Sequence, residues 1–247
     1  MLKGLSLFAK RFASFSDSYI VIGGTACYLN LQEQGLEFRA TKDIDIVLTV
    51  EALTPAFFNV FWNFVRDGGY EIHQKADGQP VYYRFAKPTN QEFPSILELF
   101  SRTPPSFDFV TSGHIIPLPA GDEASSLSAI LLDESYYTYL HGGSIIIQGI
   151  RVAKPESLIP LKAKAWLDLR ERKARGEPVD SRNIAKHLKD IPVLFGILAP
   201  GEGQPLPKNI ESDILAFLDA VAAEEDSLTS IDEEIREFYA LKKRTKQ

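Results

Sequence analysis

Short β-type runs alternate with helical stretches over the first 150 residues. The apolar run 19–22 ends in Gly23-Gly24, which predicts a buried strand followed by a tight turn. A helix over 25–34, a strand over 42–50 and an apolar-aromatic helix over 54–66 are predicted next. Further strands are predicted near 81–85, 95–100, 114–118 and 145–152, whereas 120–143 is ambiguous.

The pattern changes near Lys154-Pro155, after which helical periodicity dominates. Helices are predicted near 156–175, 181–198, 208–223 and 229–244, with a Pro/Gly linker over 200–207. We therefore predict two domains, an α/β domain over 1–153 and a helical domain over 154–247.

Composition excludes several classes of protein. The 247 residues carry 27 Lys+Arg against 33 Asp+Glu, a net charge of -6, so bulk charge does not hold the chain on nucleic acid. Cys27 is the only cysteine, which leaves no intrachain disulfide or thiolate zinc site and indicates a reducing cytoplasm. The sequence has no apolar stretch of membrane-spanning length, so no membrane partner is expected.

Asp43 and Asp45 are spaced i, i+2 on a predicted strand, so both carboxylates lie on one face and Ile44 on the other. Two such carboxylates repel each other unless a cation offsets them. Oxygen ligands of this kind suit Mg²⁺. A solvated strand edge with two surface acids is the alternative.

Gly23-Gly24 lies between a predicted strand and a helix. Backbone N–H groups there can approach a phosphate at the helix N-terminus, with the Thr25 hydroxyl beside them. A plain strand–helix turn explains the same residues. The metal-type carboxylate pair about 20 residues later favours the phosphate interpretation.

Two further charged residues stand in apolar surroundings. Glu98 is the only charge in an apolar strand, so it is either a third metal ligand or an edge position facing water. Lys162 lies about 40° from Leu158 on a helical wheel, inside the apolar stripe. Such a lysine either extends to the rim or points into a site for an anion such as a triphosphate.

Two other D-x-D interpretations fail on context. A phosphatase-like motif needs an apolar strand directly upstream, but residues 39–42 are polar. A sugar-nucleotide glycosyltransferase needs a nucleotide-binding unit of about 100 residues before the motif, and only 42 residues precede Asp43.

Four motifs in order resemble a known family. Gly23-Gly24-Thr25-Ala26 and then Arg39-x-Thr41-x-Asp43-Ile44-Asp45 resemble the polymerase-β-type nucleotidyltransferase superfamily. Leu161-Lys162-Ala163-Lys164-Ala165 and Asp180-x-x-Asn183-Ile184 are similar to motifs of its AbiEii-type toxin branch. The resemblance covers residues 19–190 and implies an α+β fold, with a nucleotidyltransferase-type mixed sheet, flanking helices and a C-terminal helical bundle.

The resemblance also implies a role for each motif residue. The triphosphate would be bound by Gly23, Gly24, Thr25 and Arg39. The Mg²⁺ would be bound by Asp43 and Asp45, with Glu98 as a less secure third ligand. Lys162 would contact phosphate, and Asp180 would act as base or as partner to Lys162. Asn183 departs from the second acid of the last motif.

The implied reaction is Mg-dependent transfer of NMP from an NTP to an acceptor hydroxyl. A toxin of a toxin–antitoxin system acting on RNA (tRNA), with a cognate antitoxin, is the expectation. A basic stretch over 162–182 and another over 242–246 are compatible with RNA, or are solvated helix faces. A small-molecule, antibiotic-type nucleotidyltransferase and a degenerate NTP-binding module remain the alternatives.

Overall fold

The computed structural model describes residues 2–74, 81–101, 115–117, 130–131, 133–199, 205–223 and 231–242. Its strands are β1 (Tyr19–Ile22), β2 (Asp43–Leu48), β3 (Glu71–Gln74), β4 (Val81–Ala86), β5 (Ile96–Ser101), β6 (Ile115–Pro117), β7 (Ser144–Ile147) and β8 (Ile150–Ala153). Its α-helices are α1 (Leu5–Phe12), α2 (Gly23–Glu33), α3 (Pro55–Gly68), α4 (Glu134–Gly142), α5 (Pro155–Ala174), α6 (Ser181–Phe195), α7 (Lys208–Ala223) and α8 (Asp232–Phe238).

The described strands form one mixed sheet in the order β6-β3-β4-β5-β2-β1-β8-β7. At its centre β1 pairs antiparallel with β2, and β2 pairs parallel with β5. β1 also pairs parallel with β8, and β5 pairs antiparallel with β4. Both strands are almost fully buried, and they are apolar apart from Asp43 and Asp45. The predicted α+β class and the mixed sheet are confirmed.

An aromatic cluster fixes α1 and α3 to one side of the sheet. Phe8 and Phe12 of α1 stack with ring centroids 4.5 Å apart, and Phe12 meets Phe64 of α3 at 5.4 Å. Thr54 caps α3 by accepting a hydrogen bond from the Phe57 N–H, which is typical of helix N-termini. These rings are almost fully buried and belong to the hydrophobic core.

The predicted single strand over 145–152 is wrong in detail. β7 and β8 form an antiparallel hairpin around Gln148 and Gly149, whose φ angles are 50° and 79°. Two consecutive positive φ values are typical of the two-residue turns that match the twist of a hairpin. The apolar residues on both sides concealed this turn. Of the ambiguous stretch 120–143, residues 120–129 and 132 lie outside the described residues, and α4 occupies its end.

Helices α5–α8 form the predicted C-terminal helical part. Leu158 and Trp166 of α5 belong to the same hydrophobic core as Val21 of β1 and Leu29 of α2. The predicted division at 153/154 stays a prediction. Within the described ranges, no helix combines the length and apolar character needed to cross a membrane.

Candidate active site

The turn between β1 and α2 brings the backbone close to the β2 carboxylates. Gly23 begins α2 with φ 65°, a conformation that favours glycine. A Cβ on Gly23 would lie 1.8 Å from Asp45 Oδ2, and one on Gly24 would lie 2.7 Å from Thr41 Oγ1. Both glycines therefore provide the space in which the Asp45 carboxylate and the N-terminus of α2 meet.

Strand register places the acids side by side. Asp45 of β2 stands opposite Glu98 of β5, and Asp43 lies two residues away on the same face of β2. Asp45 and Glu98 are 9% and 7% exposed. Arg84 of β4, opposite Glu98 on its other side, forms an ion pair with it at 3.0 Å.

Glu98 thus has a protein cation as a partner. Among the described residues, no group of three or more His, Cys, Asp or Glu side chains is arranged to hold a metal ion. Glu98 lines the same cavity as Asp43 and Asp45 while its carboxylate pairs with Arg84, so its role as a third metal ligand stays a prediction. Asp43 and Asp45 remain as a carboxylate pair.

A buried ion cluster forms another wall of the site. Lys162 of α5 and Asp190 of α6 are 5% and 2% exposed, and Lys162 Nζ donates to Asp190 Oδ2 at 2.7 Å. Arg39, in the segment between α2 and β2, donates to Asp190 through Nε at 2.9 Å and Nη2 at 2.7 Å. Asp190 therefore accepts hydrogen bonds from two cations at once.

The charges of this cluster fix each other's ionisation. Burial alone would lower the pKa of Lys162, but the neighbouring Cys27 sulfur and the Asp190 carboxylate together outweigh it and the pKa is raised. Burial alone would raise the pKa of Asp190, but the Arg39 hydrogen bonds and the Lys162 charge lower it. Both groups are therefore charged at neutral pH.

A cavity of about 230 Å³ connects the two walls. It brings together seven of the residues predicted from the sequence: Gly23, Gly24, Arg39, Asp43, Asp45, Glu98 and Lys162. Thr25 is not among the lining residues, because its hydroxyl donates to the Asp43 carbonyl at 2.5 Å and ties α2 to β2.

Asp180 is also not brought to the cavity. It is the N-cap of α6, where it accepts from the Arg182 N–H at 2.9 Å and pairs with the Arg182 guanidinium. Asp190, ten residues further along the chain, is the partner of Lys162 that the sequence analysis assigned to Asp180.

Sequence reasoning missed three polar residues on α6. Lys186 and His187 line the cavity, and Asp190 holds its cations. His187, Asp190, Ile191 and Leu194 are the buried residues of this helix, at i, i+3, i+4 and i+7. A charged residue inside that apolar stripe was the available signal, and it is the same signal that identified Lys162.

The basic stretch over 162–182 is mostly neutralised within the protein. Ion pairs join Lys164 to Asp213, Arg172 to Glu177, Arg175 to Glu171 and Arg182 to Asp180. Arg170 stacks over Trp166 at 4.3 Å. These contacts favour the ion-paired helix face over a nucleic-acid patch. The second basic run lies outside the described residues beyond Lys242.

The donor set of the cavity fits a hard cation. Asp43 and Asp45 supply oxygen ligands on one strand face, and the glycine turn leaves room beside the Asp45 carboxylate that a Cβ would fill. Oxygen ligands and open space are what Mg²⁺ requires, since it retains waters and takes up substrate phosphates.

The family described as nucleotidyl transferase AbiEii toxin, type IV TA system, has a model that matches residues 6–240. No curated protein matches the chain at a significant level. The crystal structure of an antigenic nucleotidyltransferase-like protein from Paracoccidioides brasiliensis is 17% identical, covers 93% of this chain and 90% of that chain, and has a TM-score of 0.45. Because the family match spans almost the whole chain, this protein belongs to the AbiEii nucleotidyltransferase toxin family and is a nucleotidyltransferase.

Proposed function

We propose that the cavity binds an NTP with Mg²⁺ and transfers NMP to an acceptor hydroxyl. The acceptor oxygen attacks the α-phosphorus, the bond to the β-phosphate bridging oxygen breaks, pyrophosphate leaves, and the hydroxyl proton is released. The carrying observation is the carboxylate pair Asp43 and Asp45 facing the buried cation Lys162 across one cavity.

Asp43 and Asp45 would hold the Mg²⁺. When bound, the metal activates the attacking hydroxyl and offsets charge on the transferred phosphoryl group. Glu98 is a weaker candidate ligand, because Arg84 already offsets its charge at 3.0 Å. Asp180 is not proposed as the base, since it caps α6 and is absent from the cavity lining.

The phosphates would lie between the glycine turn and the cationic wall. Gly23 and Gly24 present the N-terminus of α2, whose backbone N–H groups favour an anion. Lys162 and Arg39 provide positive charge from the opposite side and stabilise the charge that develops on the leaving pyrophosphate. Thr25 supports the turn through the Asp43 carbonyl rather than through the substrate.

The acceptor we propose is the 3′ end of tRNA, in a toxin countered by a cognate antitoxin in the cytoplasm. Support comes from membership of a toxin family. The paired basic side chains of 162–182 do not supply a strong RNA surface, so the acceptor has to be identified by experiment.

The decisive experiment measures incorporation of labelled NTPs into tRNA, other RNA and a panel of small acceptors. We expect Asp45→Ala and Asp43→Ala to reduce incorporation roughly 100-fold or more, as loss of a group that stabilises the transition state does. Asp67→Ala is the matched control, because that carboxylate is 48% exposed and pairs with Arg11 on the surface. Full activity in both cavity variants would refute the mechanism.

The same assay tests the metal and the toxicity. Activity should vanish with chelator and return with Mg²⁺. Glu98→Gln should raise the Mg²⁺ concentration for half-maximal activity less than Asp45→Asn does. Expression should arrest growth, and Asp45→Ala should relieve the arrest; equal arrest by that variant would separate toxicity from nucleotidyl transfer.

A further inference from the structure

The inner face of α6 carries one acid among its buried positions near the cavity. Asp190 is 2% exposed, and its carboxylate accepts two hydrogen bonds from Arg39 and one from Lys162. A carboxylate so deeply buried is costly unless its hydrogen bonds are satisfied. Here they come from two cations that both line the cavity, although Asp190 is not itself a lining residue.

The contact with Asp190 sets the direction of the Arg39 guanidinium. Nε and Nη2 face the carboxylate, and Nη1 lies 3.9 Å from the point where a Cβ on Gly24 would stand. Because the guanidinium is planar, engagement of two nitrogens determines where the third points. The third nitrogen points to the glycine turn that begins α2.

The Asp190 carboxylate also offsets the repulsion between the neighbouring cations Arg39 and Lys162. Arg39 and Lys162 both donate to Asp190 Oδ2, so their charges lie close together and repel each other. One carboxylate between them leaves a net charge of one positive unit on this wall. Without it, the buried Lys162 would be driven towards its neutral form, and Arg39, which is 40% exposed, would turn towards solvent.

We propose that Asp190 is a positioning residue that holds Arg39 and Lys162 in place for the triphosphate. This inference rests on the proposed function. Asp190 does not touch the nucleotide; it orients the two cations that do, before the nucleotide arrives, so that binding need not order them.

The test compares two lysine–carboxylate pairs of α5. Lys162–Asp190 and Lys164–Asp213 both span 2.7 Å, but only the first faces the cavity. NTP binding to the full chain is measured by calorimetry with Mg²⁺, using whichever of ATP, GTP, CTP and UTP binds the wild type best. We expect Asp190→Asn to weaken that affinity about tenfold or more, as loss of a charge-assisted contact does. Asp213→Asn should stay within about twofold of the wild type, since neither Lys164 nor Asp213 lines the cavity.

A double-mutant cycle separates positioning from a purely structural role. If Asp190 acts through Arg39, then in an Arg39→Gln background Asp190→Asn should weaken NTP affinity by a much smaller factor than in the wild type. If Asp190→Asn weakens NTP affinity by the same factor in the wild-type and Arg39→Gln backgrounds, then Asp190 does not act through Arg39. A purely structural role would lower the denaturant midpoint and leave the NTP affinity of the folded protein unchanged.

A conservative variant keeps the test decisive if Asp190→Asn fails to fold. Asp190→Glu keeps the charge and displaces it by one methylene, so its NTP affinity should fall between those of the wild type and Asp190→Asn. Wild-type affinity in every folded Asp190 variant refutes the positioning role alone. If the wild type itself binds none of the four nucleotides, the proposed function fails as well.

Discussion

Gly23 has a conformation and a position that exclude other residues for two separate reasons. Its φ of 65° strains any L side chain, and the space of its Cβ is occupied by the Asp45 carboxylate. Gly35 has a similar φ of 70° but nothing within 4 Å of its Cβ position. A comparison of the two glycines therefore distinguishes the effect of backbone strain, which both share, from the effect of close contact with Asp45, which only Gly23 has.

We expect Gly35→Ala to lower the free energy of unfolding by about 1–2 kcal/mol through strain alone. Gly23→Ala should cost more than this and also abolish nucleotidyl transfer, because the Asp45 carboxylate has to move. Urea denaturation and the incorporation assay measure the two effects. Equal loss of stability in the two variants, with activity kept in Gly23→Ala, would contradict the close approach.

The pKa shifts of the buried pair predict how its stabilisation depends on pH. The lowered pKa of Asp190 means that its contribution is present above the unfolded value of about 3.9 and is lost as pH falls through the folded value. The raised pKa of Lys162 means that its contribution is present below about 10.4 and is lost as pH rises through the folded value.

The difference in unfolding free energy between the wild type and Asp190→Asn should therefore shrink as pH falls below about pH 4, where the wild-type carboxylate is protonated. Urea titrations at several pH values measure it. A difference that changes steeply near neutral pH would mean that one of the two groups titrates there.

At the scale of elements, α1 is held to the sheet by aromatic contacts. Phe12 is 1% exposed and meets Tyr19, Phe57, Phe61 and Phe64 with centroid distances of 5.4–6.1 Å. Phe12→Ala should lower the free energy of unfolding by about 3–5 kcal/mol, as loss of a buried ring does. Leu36→Ala, at a side chain that is 51% exposed, is the control and should change it little. A small effect at Phe12 would show that α1 is dispensable for the core.

Local patterns predicted the elements well wherever one face of an element is buried. The unit β1–turn–α2–β2 and helix α5 follow from runs, glycines and periodicity, so Asp43, Asp45 and Lys162 were correctly placed on the cavity. The β7–β8 hairpin was missed because its turn, Gln148-Gly149, lies between two apolar runs that read as one strand.

What a single sequence could not supply was pairing over long distances. Glu98 was expected to face a metal, yet it forms an ion pair with Arg84, which reaches it through strand register. Lys162 was matched with Asp180 through a motif, yet the fold presents Asp190 to it from the middle of α6. Such partners depend on the packing of whole elements, which local spacing does not encode.

At the scale of the whole molecule, the cavity draws on both halves of the chain. The first half supplies the glycine turn and the carboxylates, and the second supplies Lys162, Lys186 and His187. A fragment of residues 1–153 would expose the surface that Leu158 and Trp166 cover. We expect it to lack NTP binding and a cooperative urea transition. A cooperative transition would support the predicted boundary at 153/154.

The ion pair between Arg39 and Asp190 can form only after both residues have been synthesised, which sets the order in which the site is assembled. These residues are 151 positions apart in the sequence. A ribosome adds about 5–20 residues per second, so roughly 8–30 s separate the synthesis of the two side chains. During that interval the nascent chain already carries Asp43 and Asp45 but lacks Asp190, the residue that would position Arg39 and Lys162. A nucleotidyltransferase assembled in this order becomes competent only after Asp190 and the rest of α6 have been synthesised.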